Sequence, residues 1–303
     1  MNKYVILHVE GGIGKNVIAT AVIRSISNKY DDRKIIVLTA YPDIYYLNPR
    51  VYKVFQFGQV SYFYEDYIKD CDSIIMSQDP YRQTDYVYRK KHLSEIWCDM
   101  YDLEWSGEQP ELYFTHLEGD FLQTIIKKDR PIFLINAFGG AQNQQHKYSW
   151  ARDIPPTLAQ EIVDEASKNY RVIQVRREDQ IALKNCEYLS LNIRQIALAL
   201  LYSDKRLLID SYLQHAAAAM NLPSVVLWSC NSSKVFGYKI HTNISSDIKE
   251  ASLRNSLYEP YDISGDPIQL ETHPNILFNK EEIMNSLGLI QNDLNLFKKE
   301  NTL

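Results

Sequence analysis

Short apolar runs alternate with segments of helical period along the whole chain, and that alternation confines it to an α/β architecture with parallel sheets. In the first half the runs fall at residues 4–9, 35–38, 54–57 and 73–76. Residues 16–28 place Val17, Ile18, Ala21, Val22 and Ile26 on one helical face, and a second helix is expected over 93–102. The second half restarts the pattern, with runs at 132–137, 172–175, 188–191, 207–210 and 225–228. Helices are expected there over 156–168, 193–201 and 212–220. Pro155-Pro156 suits a helix start and Asn221-Leu222-Pro223 a helix stop. A last amphipathic stretch runs over 280–299.

Each half opens with a strand running into a Gly pair, His8-Val9-Glu10-Gly11-Gly12 and Asn136-Ala137-Phe138-Gly139-Gly140. Two Rossmann-like domains facing each other would produce this parallel. A chain of 303 residues also exceeds one compact core. The boundary is read in the charged stretch 127–130, giving domains 1–129 and 130–303.

Composition narrows the class. The chain is 45% hydrophobic and 23% charged, an ordinary globular balance. Its 22 tyrosines suit half-exposed grooves, although an AT-rich genome produces the same bias. A net charge of -5 excludes a protein basic all over, while leaving local basic patches open. Cys71, Cys98, Cys186 and Cys230 are scattered without a CxxC pair, which fits neither a disulfide framework nor a zinc site and points to a reducing compartment. No apolar run reaches the roughly 18 residues of a membrane span. The N-terminal strand meets its Gly pair too soon for a signal peptide, so a cytoplasmic location is expected.

Two stretches carry chemistry. Glu10-Gly11-Gly12-Ile13-Gly14-Lys15 follows a strand and opens a helix, where backbone amides, the helix N-terminus and Lys15 can meet an anion. A nucleotide-hydrolysing P-loop is one reading. It wants Ser or Thr after the Lys, where this chain has Asn16, and Val9 and Glu10 also depart from it. A tight turn with a solvated Lys is the plainer alternative. In the second stretch, Leu207 to Ala219, Asp210 and Ser211 close a strand, and His215 follows on the first turns of an Ala-rich helix. Ligands of open α/β sheets bind at that edge. A half-buried, satisfied His is the bland reading of His215.

These motifs, in this order, resemble glycosyltransferase family 9, the heptosyltransferase-like group with the two-domain GT-B fold. The family's Gly-x-Gly-Asp loop and following Thr-Pro and Arg compare with Gly12-Ile13-Gly14-Lys15, Thr20-Ala21 and Arg24. Its second domain's Gly loop and Lys-x-x-Trp compare with residues 136–140 and Lys147-Tyr148-Ser149-Trp150. Its Asp-Thr-Gly-x-x-His-x-Ala-Ala-Ala compares with Asp210 to Ala218, followed by Pro223 and an apolar strand. Three departures matter. The family's catalytic Asp aligns with Lys15, its second-motif Gly is Tyr212, and a polar insert, 142–146, precedes Lys147.

The resemblance implies transfer of a sugar from a nucleotide-sugar donor to an acceptor hydroxyl, inverting and with no bound metal or other cofactor. Gly12, Gly14, Gly139, Lys147, Arg176, Asp210, Ser211 and His215 are the candidate donor contacts, with Lys15 reaching from the first domain. Glu10 and then Asp79 are the candidate bases, since both sit just past strands of the first domain; either could instead cap a helix. Asp70-Cys71-Asp72 has the form of a metal-binding Asp-x-Asp but precedes a strand, so it is read as solvated. A glycan or lipopolysaccharide-type acceptor follows from the resemblance. Residues 81–92 interleave tyrosines with Arg89, Lys90, Lys91 and His92, which raises a hydroxylated base of modified DNA as an alternative acceptor. A nucleotide-binding module without catalysis, or the ATPase, are the readings from other classes.

Overall fold

The computed structural model describes residues 1–127, 129–139, 152–189, 191–229, 231–246 and 278–290. The first half runs β1 (Lys3–Val9), α1 (Ile13–Lys29), β2 (Lys34–Thr39), β3 (Val51–Gln56), α2 (Phe63–Tyr67), β4 (Asp72–Met76), α3 (Thr84–Val87), α4 (Leu93–Asp99) and α5 (His116–Ile125). The second runs β5 (Ile132–Ile135), α6 (Pro156–Ala166), β6 (Arg171–Gln174), β7 (Glu187–Tyr188), α7 (Ile193–Tyr202) and β8 (Lys205–Ile209). It continues through α8 (Tyr212–Ala219), β9 (Val225–Trp228), α9 (Ser233–Phe236), β10 (Thr242–Ser245) and α10 (Lys280–Leu287).

Two sheets result, of order β3-β2-β1-β4 and β10-β9-β8-β5-β6-β7, and every described strand pair in them is parallel. Alternation along β1 shows why. Val5, Leu7 and Val9 enter the core beneath α1 and α4, while Tyr4 and Ile6 enter a second core beneath α2. A strand buried on both faces belongs to a parallel sheet covered by crossover helices. Each sheet also reverses its winding direction once, between β1 and β4 and between β5 and β8. Such reversals open a crevice at the strands' C-terminal ends.

The expected strands and helices are present with shifted ends, and the shifts have local causes. β7 covers only Glu187–Tyr188, because Asn192 already closes a capping box with Gln195 that starts α7. α4 stops at Asp99, with Asp102 in the left-handed region at φ 50°. α10 stops at Leu287 because Gly288 adopts φ 64° as its C-cap; residues 291–299 of the expected helix lie outside the described residues. Five labelled elements were not foreseen, the short helices α2, α3 and α9 and also β10 and α5. β10 buries only Ile244 in its four residues, too weak a pattern to read. α5 begins with a Thr115–Glu118 capping box, a readable signal that was missed. Its Leu122, and Ile126 beyond it, pack with Leu134, Leu200 and Leu208, so this helix, which precedes residues 127–130, rests on the second sheet. No described helix is long and apolar enough to cross a membrane.

Candidate functional site

The crevice of the first sheet is closed by an ion pair. Lys15 Nζ, on the first turn of α1, lies 2.8 Å from Asp79 Oδ1, just past β4. The lysine side chain is 3% exposed and sits over the rings of Tyr81 and Trp97, at 4.7 and 5.4 Å. Asp79 Oδ1 also accepts from Tyr81 N at 3.0 Å, capping the turn that follows. Lys15 is thus neither a solvated lysine nor one free to meet a phosphate, as the P-loop reading needs. Asn16, where that reading wants Ser or Thr, is buried, and its Oδ1 accepts from Thr39 Oγ1 and Tyr45 Oη at 2.5 and 2.9 Å. Glu10 stands at the tip of β1 with its side chain 63% exposed, 4.0 Å from His8 Nδ1.

The crevice of the second sheet is bridged in the same manner. Ser211 Oγ, the N-cap of α8, donates to Asn136 Oδ1 at 2.6 Å. Asn136 Nδ2 in turn donates to Phe138 O and Val175 O at 3.1 and 3.3 Å, joining the tips of β8, β5 and β6. Asp210 is buried beside this bridge and accepts from the side-chain amide of Asn231. Burial pushes its carboxyl upward, against the pull of Arg152 and of that hydrogen bond. Gly139 N donates to Asp153 Oδ1 at 2.7 Å, so this amide is already committed. The Arg176 side chain lies over the Tyr188 ring, 4.3 Å from its centroid. Lys147 lies outside the described residues.

The two crevices meet because α1 packs on α8. Gly14 is what permits it: a Cβ there would come 2.9 Å from His215 Cδ2. Gly14 therefore serves helix packing, whereas a Cβ at Gly12 would meet nothing within 4 Å. His215 is 3% exposed, and its Nδ1 is 2.8 Å from Tyr238 Oη. Burial first, then His92, His241 and Arg152, hold it well below the usual histidine range. Its ring lies in the seam between the halves, against Gly14 of the first glycine loop. Tyr212, standing where the resembled family has Gly, turns its hydroxyl to Ile193 O at 2.7 Å and clears the start of α8. Arg24 is spent on the carbonyls of Gln109, Ser106 and Gly107 and on Glu111 Oε1, fastening residues 106–111 to α1.

Much of the basic and aromatic stretch 81–92 is engaged within the chain. Tyr81 and Tyr86 pack against each other and against Phe236 of α9. Lys90 pairs with Asp85 at 3.5 Å, and Lys91 with Asp99 at 2.7 Å and Glu95 at 3.5 Å. His92 is buried and its Nδ1 accepts from Ser94 N at the start of α4. With both lysines paired and with Tyr81 and Tyr86 packed on Phe236, although Tyr88 is 70% exposed, nothing here supports the modified-DNA acceptor. Asp72 is also engaged, by Arg33 at 2.7 Å, and this pair holds the aspartate below the usual carboxylate range. It begins β4, at the far end of the strand from Asp79. Among the described residues no three His, Cys, Asp or Glu side chains are grouped to hold a metal ion.

Several site residues escaped the sequence reading. Asn231 follows β9 as Asp210 follows β8, a positional signal that was available. Arg152 lies by Gly139, its guanidinium carbon 3.8 Å from a Cβ placed there, and acts on both Asp210 and Tyr81. Trp97 reads from sequence only as a core residue of α4.

No family model and no curated protein matches the chain. Solved structures do. E. coli ADP-heptose LPS heptosyltransferase II superposes with a TM-score of 0.65 at 14% identity, over 98% of this chain and 99% of that one. A family 9 glycosyltransferase from Veillonella parvula gives 0.68 at 11% identity, over 94% and 96%. The iron-containing dodecameric glycosyltransferase TibC of enterotoxigenic E. coli gives 0.57 at 12%, over 98% of this chain and 76% of that one. At these identities the likeness is one of fold: the chain has the heptosyltransferase-like fold of glycosyltransferase family 9.

Proposed function

We propose that the protein transfers a sugar from a nucleotide-sugar donor to an acceptor hydroxyl, with two Rossmann-like halves facing across a cleft in the GT-B manner. The observation that carries this reading is the pair of bridged crevices, Lys15–Asp79 and Ser211–Asn136, brought together by α1 on α8. Ligands of open parallel sheets bind at such reversals, and here two of them adjoin.

The donor binds at the second crevice. The start of α8 receives its diphosphate, with Ser211, Arg176, Asp210 and the Gly139 loop around it. Lys147, expected from the sequence, joins them. Neutralising the diphosphate makes it a better leaving group, and a carboxylate at the tips of the first sheet takes the acceptor's proton. Glu10 and Asp79 are the two candidates there. Direct displacement inverts the anomeric centre, and the charge on the diphosphate is met by side chains and a helix terminus, without a metal. The acceptor is a glycan of lipopolysaccharide type, as the name of the E. coli neighbour suggests, and the reaction belongs in the cytoplasm.

Calorimetry and slow donor hydrolysis with a panel of ADP-, UDP- and GDP-sugars test this reading. Micromolar binding of one donor, and its hydrolysis unaffected by chelator, are expected. Binding without any turnover in the presence of glycan acceptors would instead mean a non-catalytic module. ATP hydrolysis abolished by Lys15→Ala would restore the ATPase.

A further inference from the structure

Resting on the sugar-transfer reading, we propose that Asp79 is the carboxylate that accepts the acceptor's proton, and that Lys15 is the residue that positions it. Glu10 and Asp79 stand on neighbouring strands, since β1 pairs with β4 in the register Leu7 to Met76. They differ in how they are held. The Glu10 side chain is 63% exposed and makes no hydrogen bond to a described residue. A base must be presented in one geometry, because the reacting atoms have to meet at hydrogen-bond distance. Glu10 is free to sample many rotamers.

Asp79 is fixed on one side only. Its Oδ1 takes both Lys15 Nζ at 2.8 Å and Tyr81 N at 3.0 Å. Its Oδ2 has no partner among the described residues, and the side chain keeps 29% exposure. One oxygen is anchored and the other is left without a partner among the described residues. The anchor is itself immobile, because Lys15 is 3% exposed and boxed by Tyr81 and Trp97. The lysine at the position of the resembled family's acid is therefore the group that orients an acid from the next strand.

The step balances. The acceptor O–H proton passes to Asp79 Oδ2 as the acceptor oxygen forms its bond to the anomeric carbon. The bond from that carbon to the diphosphate oxygen breaks, and its electron pair leaves with the nucleoside diphosphate. Asp79 then returns the proton to water.

The test uses the full chain and whichever nucleotide sugar it hydrolyses, with water as acceptor. Asp79→Asn should lower kcat about 10²–10⁴-fold, the range for loss of a general base. Donor affinity by calorimetry and the melting temperature should stay near wild type, and the fall of kcat in acid should disappear. Lys15→Met should lower kcat with little change in donor KM, and Lys15→Arg should recover part of it. An Asp79→Asn protein that retains at least a third of wild-type kcat, while Glu10→Gln loses a hundredfold, overturns the proposal and leaves sugar transfer standing. Loss of kcat in Asp79→Asn only in step with a lowered melting temperature also overturns it, since the pair would then be structural. A wild-type chain that neither binds nor hydrolyses any nucleotide sugar overturns both readings.

Discussion

Gly14 and His215 touch across the seam between the halves: a Cβ on Gly14 would lie 2.9 Å from Cδ2 and 3.1 Å from Nε2 of the ring. No side chain fits there unless the imidazole moves, and the imidazole is held by Tyr238 Oη at 2.8 Å. The contact fixes how closely α1 approaches α8, and with it the distance between the two crevices.

Gly14→Ala should therefore destabilise the protein by about 1–3 kcal/mol, the usual cost of overpacking a filled site. Helix propensity alone would favour Ala, so a loss isolates the steric effect. Adding His215→Ala should recover part of the loss, because the two sites share one contact. Denaturant midpoints of the two single variants and the double variant measure this, and strict additivity would disprove the contact.

Three buried histidines make stability sensitive to mild acid. Burial holds His92 and His241 at about 4, against the ordinary 6.5, and His215 well below it. Arg152 pushes His215 down further, and Arg206 does so for His241. Below pH 6.5 the unfolded chain binds protons that the folded chain refuses, so stability falls as pH drops from about 6.5 to 4. Each histidine contributes up to about 1.4 kcal/mol per pH unit in that window. Glu118, held at about 2 chiefly by its Arg194 hydrogen bonds, loses its contribution only below about pH 4.5. Stability of His241→Gln, followed by urea titration from pH 4 to 7, should show a shallower slope than wild type.

Arg194 ties α7 to residues that precede the 127–130 boundary. It binds Glu118 at 2.6 and 3.0 Å, Tyr113 O at 2.6 Å and Asp43 O at 2.9 Å. Arg194→Lys keeps the charge but cannot reproduce the planar fork. A loss of about 1–3 kcal/mol is expected for Arg194→Lys and more for Arg194→Met, which leaves Glu118 without its partner. Thermal melts of the two variants should rank in that order.

Asn136→Ala should weaken donor binding by loosening the start of α8, since its Oδ1 takes the Ser211 hydroxyl proton at 2.6 Å and its side-chain amide reaches Val175 O at 3.3 Å. A helix start no longer held across the strand tips meets the diphosphate less well, and a tenfold rise in Kd corresponds to about 1.4 kcal/mol. Calorimetry with the hydrolysed nucleotide sugar reads this directly. Lys147→Ala, measured in the same titration, should lose about 1.5–3 kcal/mol of binding with little change in melting.

Much of this was legible in the residues themselves. Apolar runs of strand length, separated by helical faces, are local patterns, and they specify parallel sheets whose C-terminal ends carry the chemistry. That is why Glu10, Asp79, Asp210 and Ser211 could be placed at strand tips by reading alone. Their partners could not. Lys15 and Asp79 are 64 residues apart, and Ser211 and Asn136 are 75 apart, so no local periodicity links them. Tertiary packing alone decided that Lys15 is buried against a carboxylate, that Lys90 and Lys91 are neutralised, and that His215 lies in a seam. The reason is physical: hydrophobic periodicity sets which face of an element is buried, whereas the neighbour of a polar group there depends on which distant strands the sheet order brings side by side.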